Sequence, residues 1–191
     1  TPDYRYDKHH LVPFGEFIPK GFAWFVRAMN IPMGNFDRGD LPQPTWQWGG
    51  LNWSPNICYE DLFGEELAQS FQQSNTPHVL LNFSNIAWFG DTTAQPQHLN
   101  ISRMRTLELQ RPMVRITNTG VSAVIDHQGK VTARIPVWQR QVLSTQVTGR
   151  SGPPTFYARW VSAYGLWPLW ILGVLLLCAP WLVRRRQAMT N

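Results

Sequence analysis

A chain of 191 residues with a formal charge of +5 is long enough to bury one core. Arg184, Arg185 and Arg186 supply three of those charges in one cluster, so the basicity is local and no nucleic-acid footprint is expected. Two cysteines, Cys58 and Cys178, exclude a Cys-rich zinc site, the five histidines show no HExxH spacing, and neither a metal nor another cofactor is expected.

The chain begins Thr-Pro-Asp, without initiator methionine, signal peptide or leading strand pattern, as expected of a fragment. Residues 1–19 are polar and aromatic with turn signals, and hold Lys8 in Tyr-Asp-Lys-His-His-Leu-Val-Pro-Phe-Gly-Glu (6–16). Residues 21–29 are apolar almost all round, which predicts a buried helix or a segment dipping into lipid. Residues 30–44 read as irregular. Residues 46–58 predict two short strands about a Gly49-Gly50 turn, and 61–71 have helical spacing. Residues 79–83 form a short apolar run, the mark of a strand buried on both faces.

Residues 97–110 predict a helix with Ile101, Met104, Leu107 and Leu109 on its apolar side, ended by Pro112. Residues 113–117, 121–125, 131–135 and 142–147 predict strands, with a hairpin turn at 126–130. The order is that of an α/β layered domain without internal repeats. From Trp160 to Val183 there is no charged residue, and tryptophans mark both ends before the arginine triplet. That pattern predicts a transmembrane helix at 164–183, after a domain at 1–150 and a linker at 151–163. The positive-inside rule puts the basic tail, 184–191, in the cytoplasm and the domain on the other side, the periplasm of a Gram-negative cell.

Cys58 sits in Asn-Ile-Cys-Tyr-Glu-Asp (56–61), where a strand-like run meets a helix-like one. At a helix start, backbone N–H groups favour the thiolate, the nucleophilic form in acyl transfer. A small buried hydrophobe is the ordinary alternative. Lys8 would lower the thiol pKa and stabilise an oxyanion, whereas Glu60 and Asp61 oppose the thiolate unless a cation offsets them or they point away.

The segments at 6–19, Ile-Cys-Tyr-Glu (57–60), Ala-Trp-Phe-Gly (87–90), 97–112 and Asn-Thr-Gly-Val-Ser (118–122), with the closing apolar stretch, resemble the apolipoprotein N-acyltransferases. These form the membrane branch of the nitrilase, or carbon–nitrogen hydrolase, superfamily, and the resemblance covers nearly the whole chain. It implies a four-layer αββα sandwich, incomplete at its N-terminal side, followed by one transmembrane helix. It further implies a Glu–Lys–Cys triad, with Cys58 as nucleophile, Lys8 as the positive group, and Glu16, Tyr59 and Glu60 supporting the site. The implied reaction moves an acyl chain from a phospholipid, through a thioester on Cys58, to the N-terminal amine of a diacylglyceryl apolipoprotein. The implied protein is a monomer in the inner membrane.

Two departures stand out. The general-base glutamate belongs upstream of the lysine segment, where Asp3 and Asp7 are the acids present, so the fragment by itself is expected to be inactive. Ile86 occupies the position where relatives carry an acid. Under this reading Phe22, Trp24, Phe25, Trp88 and Phe89 are candidates to line a lipid entrance near Cys58, against ordinary core aromatics as the alternative. Competing functions are a membrane-anchored amidase or nitrilase, which sends water to the thioester, and a non-catalytic membrane-anchored interaction module.

Overall fold

The computed structural model describes residues 3–22, Trp24 and residues 36–190, with side chains described up to Pro180. Phe25 and most of the 21–29 apolar segment lie outside the described residues.

Six strands form one sheet in chain order: β1 (Trp46–Trp48), β2 (Leu51–Ile57), β3 (Val79–Ser84), β4 (Met113–Thr117), β5 (Ser122–Ile125) and β6 (Val131–Ile135). Strands β2, β3 and β4 run parallel, and the outer pairings are antiparallel. The β1–β2 hairpin closes through Gly49 and Gly50, both at positive φ (59° and 74°), as a tight turn matching the twist of its strands demands. The chain crosses from β2 to β3 through a 3-10 turn (Cys58–Leu62), helix α1 (Gly64–Ala68) and a second 3-10 turn (Gln69–Gln72). Helix α2 (Ala94–Leu109) carries it from β3 to β4 and stops at Gln110, in the left-handed region, just before Pro112.

Alternation along the strands separates two faces. Leu80, Met113, Ala123 and Ile125 pack under Leu67, Ala68, Phe71 and Leu109 on the helix-covered face. Trp53, Val79 and Leu81 form a smaller cluster on the other face with Val114 and Val147. There, Phe83 and Ile116, paired in register, stay 43 % and 44 % exposed, so β3 is not buried on both faces along its whole length. Leu80 is fully buried, and truncating such a leucine costs about 2–5 kcal/mol.

Three expectations need correction. Helix α2 turns Gln95, His98, Ser102, Thr106 and Leu109 inward and leaves Met104 and Leu107 exposed. Its inner face is mostly polar, with Ser102 bonded to the buried Asp61 and Arg115 and Leu109 in the apolar core. Residues 142–147 join no strand ladder; the segment lies beside the sheet, with Val147 packed on its smaller cluster. Nor does 151–163 behave as a linker. Helix α3 (Phe156–Tyr164) buries Ala158 and Val161 in the main core and is capped by Thr155, whose side chain accepts from the Ala158 N–H.

After Gly165 the chain turns into helix α4 (Trp167–Thr190), with Pro180 inside it. Among the described residues no single helix is long and apolar enough to cross a membrane. The pair Phe156–Tyr164 and Trp167–Pro180, bent by 80°, passes that test together.

Candidate active site

The carboxyl ends of the parallel strands converge on one place, the usual position of a site in an open α/β sheet. Cys58 follows β2, Asn85 follows β3 and Asn118 follows β4. Asn118 ties the last two ends together: its Nδ2 donates to Asn85 Oδ1 (2.7 Å) and its Oδ1 accepts the Ile86 N–H (3.2 Å). Ile86 is buried against Gly120, where a Cβ would collide with its Cγ2, so position 86 serves packing rather than supplying a carboxylate.

Cys58 opens a 3-10 turn rather than an α-helix, and its φ of 59° lies in the left-handed region that disfavours a residue with a Cβ. Such strain is retained where surrounding contacts over-determine the backbone, commonly at functional sites. The thiol points to the Asn85 carbonyl at 4.0 Å. Burial pushes the Cys58 thiol up, while the Lys8 charge and the Tyr59 backbone N–H pull it down. Desolvation is the largest of these effects, so the thiol lies above rather than below its ordinary pKa.

Lys8 arrives from the irregular N-terminal segment, which the rest of the fold clamps in place. The Gly39 N–H donates to the Lys8 carbonyl (2.9 Å), and Gln43 bonds both backbone groups of Asp7. Only glycine fits at 39, because a Cβ there would overlap the Asp7 carbonyl. Lys8 Nζ makes two hydrogen bonds to the Glu16 carboxylate, at 2.8 and 2.7 Å, and stands 5.5 Å from the Tyr59 ring centroid. Glu16 also accepts the Val12 N–H (2.9 Å), closing the 12–17 turn around the lysine.

Glu60 ties the N-terminal segment to the cysteine turn. Its carboxylate accepts the backbone N–H groups of Ile57, His9 and His10 and the Tyr6 hydroxyl, at 2.6 to 3.0 Å. Its charge is therefore spent on hydrogen bonds and not aimed at the thiol. Tyr59 donates its hydroxyl to the Leu11 carbonyl (2.8 Å). Cys58, Lys8, Glu16, Tyr59 and Glu60 thus form one cluster. Trp88 and Phe89 sit in the 3-10 turn just beyond Asn85 and are exposed, Trp88 by 81 %. Phe22 and Trp24 are exposed as well, and Phe22 packs edge-on against Phe14 with centroids 5.5 Å apart.

Residues 3–152 match the carbon-nitrogen hydrolase family. The chain belongs to that family. It is 56 % identical over 170 residues to an apolipoprotein N-acyltransferase of Verminephrobacter eiseniae, covering 85 % of this chain and 32 % of that protein. It is 54 % identical over 186 residues to the apolipoprotein N-acyltransferase of Ralstonia nicotianae, covering 97 % and 34 %. The chain thus spans about a third of the length of these curated relatives. A crystal structure of a CN-hydrolase superfamily protein from Xanthomonas campestris matches with a TM-score of 0.52 at 20 % identity, covering 75 % of this chain and 51 % of that one. That likeness extends to the fold.

Sequence reasoning overlooked part of what surrounds Cys58. Asn56, Asn82, Ser84 and Arg115 project from the strands beneath Cys58 on the helix-covered face. Polar residues inside apolar strand runs, at alternating positions, were the available signal.

Proposed function

We propose that Cys58 is the acyl-carrying nucleophile of a membrane N-acyltransferase acting on bacterial apolipoproteins. The observation that carries this reading is Cys58 in a left-handed turn at the end of β2, with the Glu16-anchored Lys8 alongside, in a chain so close to proteins named apolipoprotein N-acyltransferase. The thiolate attacks the ester carbonyl of a phospholipid. Lys8 and the Tyr59 N–H stabilise the negative charge that develops there, and the lysophospholipid alcohol leaves with a proton. The α-amine of a diacylglyceryl-cysteine then attacks the thioester, forming an amide and releasing Cys58. Splitting one hard transfer into two steps is what a cysteine nucleophile contributes.

Deprotonation needs an acceptor. By family resemblance that is a glutamate preceding the lysine segment, and Glu16 is already engaged with Lys8. These 191 residues expressed alone are therefore expected to form little adduct. Phe22, Trp24, Phe25, Trp88 and Phe89 are read as a lipid-facing lip through which the donor's acyl chain reaches Cys58. The apolar stretch 164–183 is read as the membrane-embedded segment, and in the structure it falls on the bent pair of α3 and the start of α4, which, among the described residues, are long and apolar enough to cross only together. Arg184–Arg186 then face the cytoplasm.

The test is to trap the thioester. Membranes carrying the full reading frame are incubated with a phospholipid bearing an alkyne-tagged acyl chain. A hydroxylamine-sensitive tag on Cys58 is expected, absent in Cys58→Ser; no tag in a folded protein would sink the reading. The carbon-nitrogen hydrolase match keeps one alternative, transfer of the acyl group to water. Adding a diacylglyceryl-cysteine peptide distinguishes them: N-acyl peptide supports the transferase, and free fatty acid alone supports the hydrolase.

A further inference from the structure

Beneath Cys58, on the helix-covered side of the sheet, a buried polar chain runs from a carboxylate to the cysteine's own backbone. Ser102 Oγ donates to Asp61 Oδ2 at 2.5 Å, and Arg115 Nη1 donates to Ser102 Oγ at 2.9 Å. The same arginine nitrogen lies 3.5 Å from Asp61 Oδ2 and donates to Asn82 Oδ1 at 3.1 Å. Ser84 Oγ also donates to Asn82 Oδ1, at 2.6 Å. From its other end, Asn82 Nδ2 donates to the Cys58 carbonyl at 2.9 Å and to Asn56 Oδ1 at 2.5 Å. Asp61, Asn82, Ser102 and Arg115 are all essentially inaccessible to water.

The polarity of this chain is fixed by chemistry. A guanidinium can only donate, so Asn82 must turn its oxygen toward Arg115 and its amide hydrogens toward the Cys58 carbonyl. Asp61 in turn keeps Arg115 in place, since a guanidinium cannot stay buried without a compensating charge. The atom held at the far end belongs to the residue in the left-handed conformation, which a side chain with a Cβ adopts only under constraint.

We propose that Asp61, Ser102, Arg115 and Asn82 are positioning residues for Cys58. They pin its carbonyl, hold the turn in its left-handed form and so keep the sulfur within reach of Lys8. This rests on Cys58 being the nucleophile, and it extends that reading to four residues on β3, β4, α2 and the turn after β2. The charged groups around the sulfur are Lys8 and Glu16 from the N-terminal segment, Asp61 on the turn itself and Arg115 from β4.

The test reads Cys58 directly and needs no acyl transfer. Iodoacetamide alkylation of the detergent-solubilised full chain is followed at the Cys58 peptide across pH, with the rate of the same chain after denaturation in urea as reference. Asn82→Ala is expected to slow Cys58 at neutral pH by about ten-fold, the rate equivalent of one lost hydrogen bond, and to move its pH midpoint upward as the sulfur leaves the field of Lys8. Ser102→Ala leaves every charge in place and is expected to slow it by about three-fold, which keeps the test decisive if Asn82→Ala does not fold. The rate after denaturation should not change. A variant with a lowered melting temperature but an unaltered Cys58 rate and midpoint would show a merely structural network and overturn the proposal. A normal response here without any thioester would count against the acyl-transfer reading alone.

Discussion

Two ion pairs flank Cys58, and they are built in opposite ways. Lys8 and Glu16 lie eight residues apart in a segment without regular structure, and their side chains are 10 % and 29 % exposed. Asp61 and Arg115 lie 54 residues apart, brought together by the sheet, and are 0 % and 1 % exposed. The first pair keeps a positive charge at the solvent edge of the site, where it can meet a developing negative charge. The second is sealed in the core and acts through what it holds. A local turn suffices for the first; only the complete sheet and α2 can make the second.

The difference is largest in stability. Arg115→Met leaves Asp61 buried and uncompensated, and is expected to cost about 3–5 kcal/mol in a urea melt. Replacing both partners, Asp61→Leu with Arg115→Met, should recover much of that loss, because the desolvation cost disappears along with the attraction. Lys8→Met, at the wetter pair, is expected to cost about 1 kcal/mol while removing most Cys58 reactivity. Equal losses from Arg115→Met and Lys8→Met would erase the distinction between the pairs.

The buried pair also carries an internal cancellation with pH. Burial raises Asp61 to about 6, despite Ser102 and Arg115, and burial lowers the neighbouring His98 to about 3, with the Arg115 charge adding to it. Between about pH 4 and 6 the folded chain holds a proton on Asp61 that the unfolded chain has released, so that term destabilises as pH rises. Over the same range the unfolded chain holds a proton on His98 that the folded chain lacks, so this term stabilises as pH rises. The two slopes oppose each other, and the native protein should be nearly flat there.

His98→Gln exposes the Asp61 term alone. Stability of that variant should fall by about 3 kcal/mol from pH 4 to 6 and level off above. Asp61→Asn exposes the other, and stability should rise from pH 3 to 6.5. Melting midpoints of both variants across pH check this, and a flat profile in His98→Gln would mean that Asp61 is ionised normally in the core.

The same contrast explains what the sequence disclosed. Cys58, Lys8 and Glu16 were legible because the groups of the outer site sit in two short motifs, and the β1–β2 hairpin was legible because Gly49-Gly50 names its turn. Arg115 was hidden inside an ordinary strand run, and its partners lie on three other elements. Helix α2 was legible as a helix but not in its orientation. Apolar periodicity locates a buried face only when that face is apolar, and here it carries Gln95, His98, Ser102 and Thr106, of which Ser102 bonds Asp61 and Arg115 and His98 lies 3.7 Å from Asp61. The irregular course of 142–147 was equally hidden, since alternation alone does not supply a neighbouring strand to pair with.

The smallest expected effect falls on the residue between the two pairs. Holding a side chain in the left-handed region costs about 1–2 kcal/mol, and glycine is free of that cost. Glycine also widens the unfolded ensemble, which takes back about 0.4–1 kcal/mol. Cys58→Gly should therefore be more stable than Cys58→Ala by about 0.5–1 kcal/mol in paired urea melts, although both lack the thiol. A bond that props up a strained residue matters less once the strain is gone. In the Cys58→Gly background, Asn82→Ala should then cost less than it does beside the native cysteine. If the cost is the same in both backgrounds, the Asn82 amide is bonding a carbonyl that would have stayed in place unaided, and the turn owes its shape to the Glu60 side of the site instead.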